Sequence, residues 1–136
     1  MIGTVRLDLP ARPEYLLLAR LAVTGICRAA GGSEEALADL KLAVTEAVAN
    51  VTRHAYPNEL GRVRVELNLR DARVDVAVID DGKGFDAAPG STGASGGQHE
   101  NGMGLSIVSS IADAVSIDRG PDGRGTCLRF GRSLQH

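Results

Sequence analysis

The sequence predicts an α+β fold: a two-layer α/β sandwich with helices on one face of a mixed, mostly antiparallel sheet. Three observations predict it. First, strand-period alternation recurs in separated stretches, at Val5-Leu7-Leu9, at Val63-Val65-Leu67-Leu69 and at Val74-Val76-Val78. Second, two stretches with helical composition lie together between the first and second of these. Third, the later strands follow one another through tight turns, as antiparallel neighbours do. The resulting order is strand, helix, helix, hairpin, loop, helix, hairpin, which a sheet covered on one face satisfies. The chain has 136 residues, a length that suits a single compact domain over 1–136.

The elements follow in order. Arg6 and Asp8 alternate with Val5, Leu7 and Leu9, and Pro10 and Pro13 end that strand. From Glu14 to about Ala30 the chain is apolar and rich in helix formers, and Gly31-Gly32 stops the helix. Ser33 is a suitable N-cap for a second helix, with Glu34 and Glu35 in its first turn. That helix runs to about His54, and Leu37, Leu40, Val44, Ala47, Val48 and Val51 recur at helical spacing as its core face. The segments 62–70 and 73–80 form a hairpin around Asp71-Ala72. The stretch from Gly82 to Gly104 is rich in Gly, Ser and Ala and reads as a loop. A short helix is expected from Leu105 to about Asp113. Strands at Val115–Arg119 and Thr126–Phe130 close the chain around the turn Gly120-Pro121-Asp122-Gly123.

Composition narrows the function classes. Hydrophobic residues make up 43% and charged residues 24%, with a formal net charge of −2. No basic bias points to nucleic acid and no polybasic run points to a membrane surface. Aromatics stand at 3% and Trp is absent, which disfavours a base-stacking platform for single strands. Cys27 and Cys127 lack zinc-site spacing and read as small buried hydrophobes. No apolar run reaches the length of a membrane span and the start reads as no signal peptide, so a cytoplasmic protein is expected.

Four features carry chemistry. Glu46 and Asn50 are one turn apart on the second helix, beside its apolar stripe. Oxygen ligands of this kind suit magnesium, and a carboxylate one turn away can take a proton from an attacking hydroxyl. A solvated helix flank would look the same. Asp80 stands at a strand end, followed by Gly82 and Gly84, which allow a sharp turn and close approach to a ligand. Such an acid can accept a hydrogen bond from an exocyclic amine; an ordinary strand exit is the plainer alternative. Gly102 and Gly104 precede a helix, where backbone N–H groups and the helix dipole favour phosphate. The surroundings match neither a dinucleotide fingerprint nor a P-loop. Gly125-Thr126 opens the last strand, where a hydroxyl can meet a base edge, although Thr is also simply a good strand former.

Together and in this order, the segments TEAVANVTRHAY, DDGKGF, NGMGL and GRGT resemble four boxes of one superfamily. They are the N box, the two glycine boxes and the last box of the GHKL ATPases, which comprise gyrase, the heat-shock chaperone, histidine kinases and mismatch-repair MutL proteins. The closest resemblance is to the stand-alone anti-sigma factor serine kinases, and it covers nearly the whole chain. It implies the Bergerat ATP-binding fold, with ATP and Mg²⁺ as cofactors. Glu46 would be the general base and Asn50 would hold the magnesium. Asp80 would bond the adenine amine, with Gly82 and Gly84 shaping the base pocket. Gly102, Gly104 and Leu105 would place backbone N–H groups on the phosphates, with Met103 in the same loop. Thr126 would support adenine recognition, and Arg53 and His54 would border the nucleotide. Residues 86–101 would form a lid.

The same resemblance implies two partners, a sigma factor and a STAS-domain anti-anti-sigma protein carrying the acceptor serine. Phosphoryl transfer needs positive charge near the γ-phosphate, yet the stretch from Phe85 to Asn101 contains neither Lys nor Arg. Lys83, at the cleft mouth, is therefore expected to contribute. Two functions follow: a serine protein kinase that doubles as an anti-sigma factor, and a nucleotide-gated protein-binding module with little or no kinase activity. The retained Glu46 favours the first and the basic-free lid the second. The first strand and first helix also offer apolar surface for a homodimer.

Overall fold

The computed structural model describes residues 2–54, 61–81, 106–120 and 125–135. Strand β1 spans Ile2–Pro10, and after a 3₁₀ turn at Pro13–Tyr15 helix α1 spans Leu16–Ala29. Helix α2 spans Glu34–His54. Strands β2 (Arg62–Arg70) and β3 (Arg73–Asp80) follow. Helical residues 106–111 (α3) precede β4 (Asp113–Arg119) and β5 (Thr126–Ser133). The sheet order is β1-β2-β3-β5-β4. All four described ladders are antiparallel, so the parallel component of the expected mixed sheet is not seen among the described residues.

The two faces of the sheet follow from the period-2 pattern. Val63, Val65, Leu67 and Leu69 of β2, Val74, Val76 and Val78 of β3, and Leu128 and Phe130 of β5 are buried against the helices. The core face predicted for α2 is the buried one, and Ala36 and Ala43 complete it. These alanines let the helix backbone lie close to the sheet. On the other face, polar side chains pair across strands: Thr4 with Asn68 at 2.9 Å, Arg62 with Asp8 at 2.9 Å and Arg6 with Glu66 at 3.4 Å. Exposed pairs of this kind are worth about 0–1 kcal/mol each, so the helix-side core supplies most of the stability.

Turn chemistry decides the element ends. Pro13 fixes φ and lacks an N–H, so the expected helix start at Glu14 becomes a 3₁₀ turn and α1 begins at Leu16. Gly31 ends α1 at φ 72°, and Gly32 donates to the Cys27 carbonyl at 2.8 Å. Ser33 caps α2 as predicted: its Oγ accepts from the Ala36 N–H at 3.0 Å. The C-terminal segment then staples two turns together. The Leu134 carbonyl accepts from Ser33 N–H at 2.9 Å, and Leu134 N–H donates to the Ala72 carbonyl at 2.8 Å. Cys27 and Cys127 are both free and buried, and burial pushes both thiols up.

Two boundaries differ from the sequence expectation. The helix expected to reach Asp113 ends by residue 111, and Asp113 opens β4 instead. Arg73 of β3 grips the Asp113 carboxylate through both terminal nitrogens. A bulge between Asp113 and Ser116, with Ala114 at φ 54°, lets the strand start early. Strand β5 runs past Phe130 to Ser133 because Gly131, Arg132 and Ser133 pair with Asp75, Val74 and Arg73. The sequence loses its alternation there, but the ladder does not need it.

Candidate functional site

Two of the candidate residues among those described lie at one end of the sheet. β3 ends at Asp80 and β5 begins at Thr126, and the register sets these two residues opposite each other. Both belong to the helix side of the sheet and both are buried, at 5% and 9% exposure. They are the buried polar residues among those described, in a face otherwise made of Val, Leu and Phe. Thr126 Oγ1 has no hydrogen-bond partner among the described residues. Leaving a buried hydroxyl unsatisfied costs about 1–3 kcal/mol, so this atom can bond a polar group that the described residues do not supply.

Gly125 fixes the closeness of the two strands. Its φ is 69°, a conformation that L side chains rarely adopt. A Cβ there would collide with the Asp80 carbonyl oxygen and stand 2.6 Å from Asp81 Cα. Only a residue without a side chain lets the start of β5 lie against the end of β3. The sequence signal for this role was the glycine directly before Thr126, although no role for Gly125 followed from it.

Helix α2 supplies the other two described candidates. It packs over β3 and β5, while α1 packs over β2. Glu46 and Asn50 are half-buried, at the flank of the Ala43-Ala47 stripe. Asp39 lies on the same flank and reaches Arg132 of β5 at 2.9 Å, so this flank faces the strand that carries Thr126. The Asp39–Arg132 pair had no sequence signal, because its members are 93 residues apart and match no motif.

Arg53 and His54 fall in the last turn of α2, with side chains outside those described. Gly82, Lys83, Gly84, Gly102, Met103, Gly104, Leu105 and the segment 86–101 also lie outside the described residues. Among the described residues, no cluster of three or more His, Cys, Asp or Glu could hold a metal ion by itself, and no helix is long and apolar enough to cross a membrane.

Chemically, the arrangement offers a buried carboxylate and an unsatisfied hydroxyl side by side at a strand end, and the helix packed over the same two strands bears a carboxylate and a carboxamide on its flank. The first pair suits a flat ligand with both a donor and an acceptor edge. The second suits proton transfer and oxygen ligation.

Comparison with known proteins agrees with this geometry. The histidine kinase-like ATPase domain family matches residues 9–131. The serine-protein kinase RsbW of Listeria innocua is 36% identical over 126 residues, covering 86% of this chain and 80% of the relative. That of Oceanobacillus iheyensis is 32% identical over 124 residues, covering 84% and 78%. The crystal structure of the RsbU and RsbW domains of a Mycobacterium tuberculosis protein superposes with a TM-score of 0.72 at 21% identity. It covers 97% of this chain and 32% of that one, a likeness of fold alone. The chain belongs to the histidine kinase-like ATPase domain family, in the branch of the RsbW serine-protein kinases.

Proposed function

We propose that this chain is an ATP-dependent serine protein kinase that acts as an anti-sigma factor, phosphorylating a STAS-domain anti-anti-sigma protein and sequestering a sigma factor. The observation that carries the nucleotide part is the Asp80–Thr126 pair, buried and opposed, with a hydroxyl left for a ligand. The kinase part is supported by relatives named serine-protein kinase over most of the chain.

In this reading Asp80 accepts a hydrogen bond from the adenine amine and Thr126 Oγ1 bonds the neighbouring ring edge. Gly82 and Gly84 shape the base pocket, and Gly102, Gly104 and Leu105, with Met103, meet the phosphates. Arg53 and His54 border the nucleotide, and residues 86–101 cover it. Asn50 would hold Mg²⁺, which would neutralise charge on the phosphate oxygens. Glu46 takes the proton of the acceptor serine hydroxyl as its oxygen bonds to the γ-phosphorus. The bond from that phosphorus to the bridging oxygen breaks, and ADP departs with the electron pair. Lys83 adds positive charge at the cleft mouth.

The protein works in the cytoplasm, as two partners of the transcription apparatus require, and as a homodimer. Among the described residues β1 is an edge strand with no partner on its outer side, and Ile2 of that strand and Leu17, Leu18 and Leu21 of α1 are exposed. Sedimentation showing a monomer at tens of micromolar would remove the dimer. A second reading, a nucleotide-gated binding module without transfer, is favoured by the absence of Lys and Arg from 85–101.

The test is transfer of labelled γ-phosphate from Mg-ATP to a STAS-domain protein, with Glu46→Ala beside wild type. The kinase reading expects transfer by wild type and a loss of about 10²–10⁴-fold in the variant. ATP binding without transfer to any STAS-domain protein tried would leave the binding module.

A further inference from the structure

Strand β5, over which α2 packs, has two ends, and the chemistry proposed above sits at only one of them. At the other, Arg132 donates to a single oxygen of Asp39, from Nη2 at 2.9 Å and from Nε at 3.1 Å. Its remaining terminal nitrogen donates to the Ser133 carbonyl at 2.6 Å. The two side chains are shielded, at 12% and 26% exposure. This ion pair joins a helix to the sheet, whereas Arg6–Glu66, Arg62–Asp8 and Arg73–Asp113 lie within the sheet and Arg28–Glu34 lies near a turn.

Asp39 shares its helix flank with the candidate site. Glu46 and Asn50 follow it by seven and eleven residues, which sets each within about 20° of it around the helix. From Asp39 to Asn50 the helix advances about 16 Å. From Arg132 back to Thr126 the strand covers about 20 Å. With Asp39 held on Arg132, Glu46 and Asn50 are carried toward the Thr126 end of β5.

The rest of the α2 contact does not define this setting as sharply. Its buried surface is wholly apolar, with Ala36, Ala43 and Ala47 among Leu37, Leu40, Val44, Val48 and Val51. Apolar burial is non-directional, and the small Ala43 and Ala47 beside Glu46 and Asn50 give the helix less to key its rotation there than the Leu residues nearer its start. A charge-assisted bond with two N–H donors is directional. We propose that Asp39 and Arg132 are positioning residues for the reaction: the pair fixes the rotation of α2 so that Glu46 and Asn50 point at the Asp80–Thr126 end of the cleft. The inference rests on the roles given above to Glu46 and Asn50.

The experiment measures kcat and KM for phosphate transfer in wild type, Asp39→Ala, Glu46→Ala and the double variant. It also measures the gain in ATP affinity produced by Mg²⁺. Misplacement of about 1 Å can cost up to about 10²-fold. Asp39→Ala is therefore expected to lower kcat by about 10-fold or more, with a much smaller change in KM. In the Glu46→Ala background the same change is expected to cost much less, because the base it positions is gone and only the placement of Asn50 remains to be lost.

An unchanged kcat in Asp39→Ala overturns the proposal. So does an equal further loss in the Glu46→Ala background, which marks a general weakening of the fold. Should Asp39→Ala fail to fold, Arg132→Lys is read instead, since it keeps the charge and loses the two-donor geometry. An intermediate loss of kcat then supports the proposal and an unchanged kcat overturns it. If wild type transfers no phosphate, the kinase reading fails by itself, and affinity decides the inference. A smaller Mg²⁺-dependent gain in the variant supports it, and an equal gain overturns it.

Discussion

Asp80 and Thr126 stand opposite each other where β3 ends and β5 begins, both buried on the helix side of the sheet. Each is out of place in an apolar face. Their juxtaposition depends on the hairpin, on the crossover through α3 and β4, and on the one glycine that lets the strand ends touch.

Thr126→Val separates ligand recognition from stability. Valine keeps the shape and removes the unsatisfied Oγ1, so the fold is expected to hold or gain up to about 1 kcal/mol. ATP affinity is expected to fall by about 5–10-fold, the worth of one ordinary hydrogen bond. Thermal melting and nucleotide titration of the same preparation check both signs. Unchanged affinity would remove Thr126 from the site.

Gly125→Ala is expected to damage both properties. The new Cβ meets backbone of Asp80 and Asp81, which cannot rotate away, and φ 69° adds strain. A loss of about 2 kcal/mol or more in denaturant unfolding is expected, together with loss of ATP binding. Gly131→Ala is the control. Its Cβ meets side-chain atoms of Arg73 and Asp75, which can move, so ATP binding is expected to survive.

Asp113 gives the acid limb of stability a defined contributor. Its hydrogen bonds from Arg73 hold its carboxyl below the usual carboxylate range. A depressed folded-state pKa contributes stability above the unfolded value, about 3.9, and loses it as pH falls through the folded value. The carboxylate is 59% exposed, so solvent screening limits the effect to under about 1 kcal/mol. Urea melts of wild type and Asp113→Asn are expected to differ at pH 6 and to converge near pH 2. A constant difference across that range would exclude the linkage.

Much of this was legible in the sequence, for physical reasons that differ by element. The core face of α2 and the hairpin of β2 and β3 were readable because each buries one face, and burial imposes its period on the residues. Ser33 was readable because an N-cap needs a particular side chain at a particular place. Asp80, Thr126, Glu46 and Asn50 stood out as polar residues beside or within apolar patterns. The end of α3 was not readable, since Asp113 joins β4 through an ion pair with Arg73, forty residues away. The end of β5 was hidden because ladder pairing there continues through Gly131 and Arg132 without alternation. The contact of Asp39 with Arg132 was hidden too, because a pair of opposite charges far apart in sequence is indistinguishable from surface charge until the chain folds.

The central claim is that the Asp80 end of the sheet binds ATP through its base, and the most direct test is ATP titration of wild type beside Asp80→Asn. The substitution keeps the shape but removes the charge and turns one acceptor into a donor. The account predicts binding by wild type and a rise in Kd of at least about 10-fold in the variant, the worth of a hydrogen bond to a charged group. Equal Kd values for the two proteins, or no ATP binding by wild type, would contradict it.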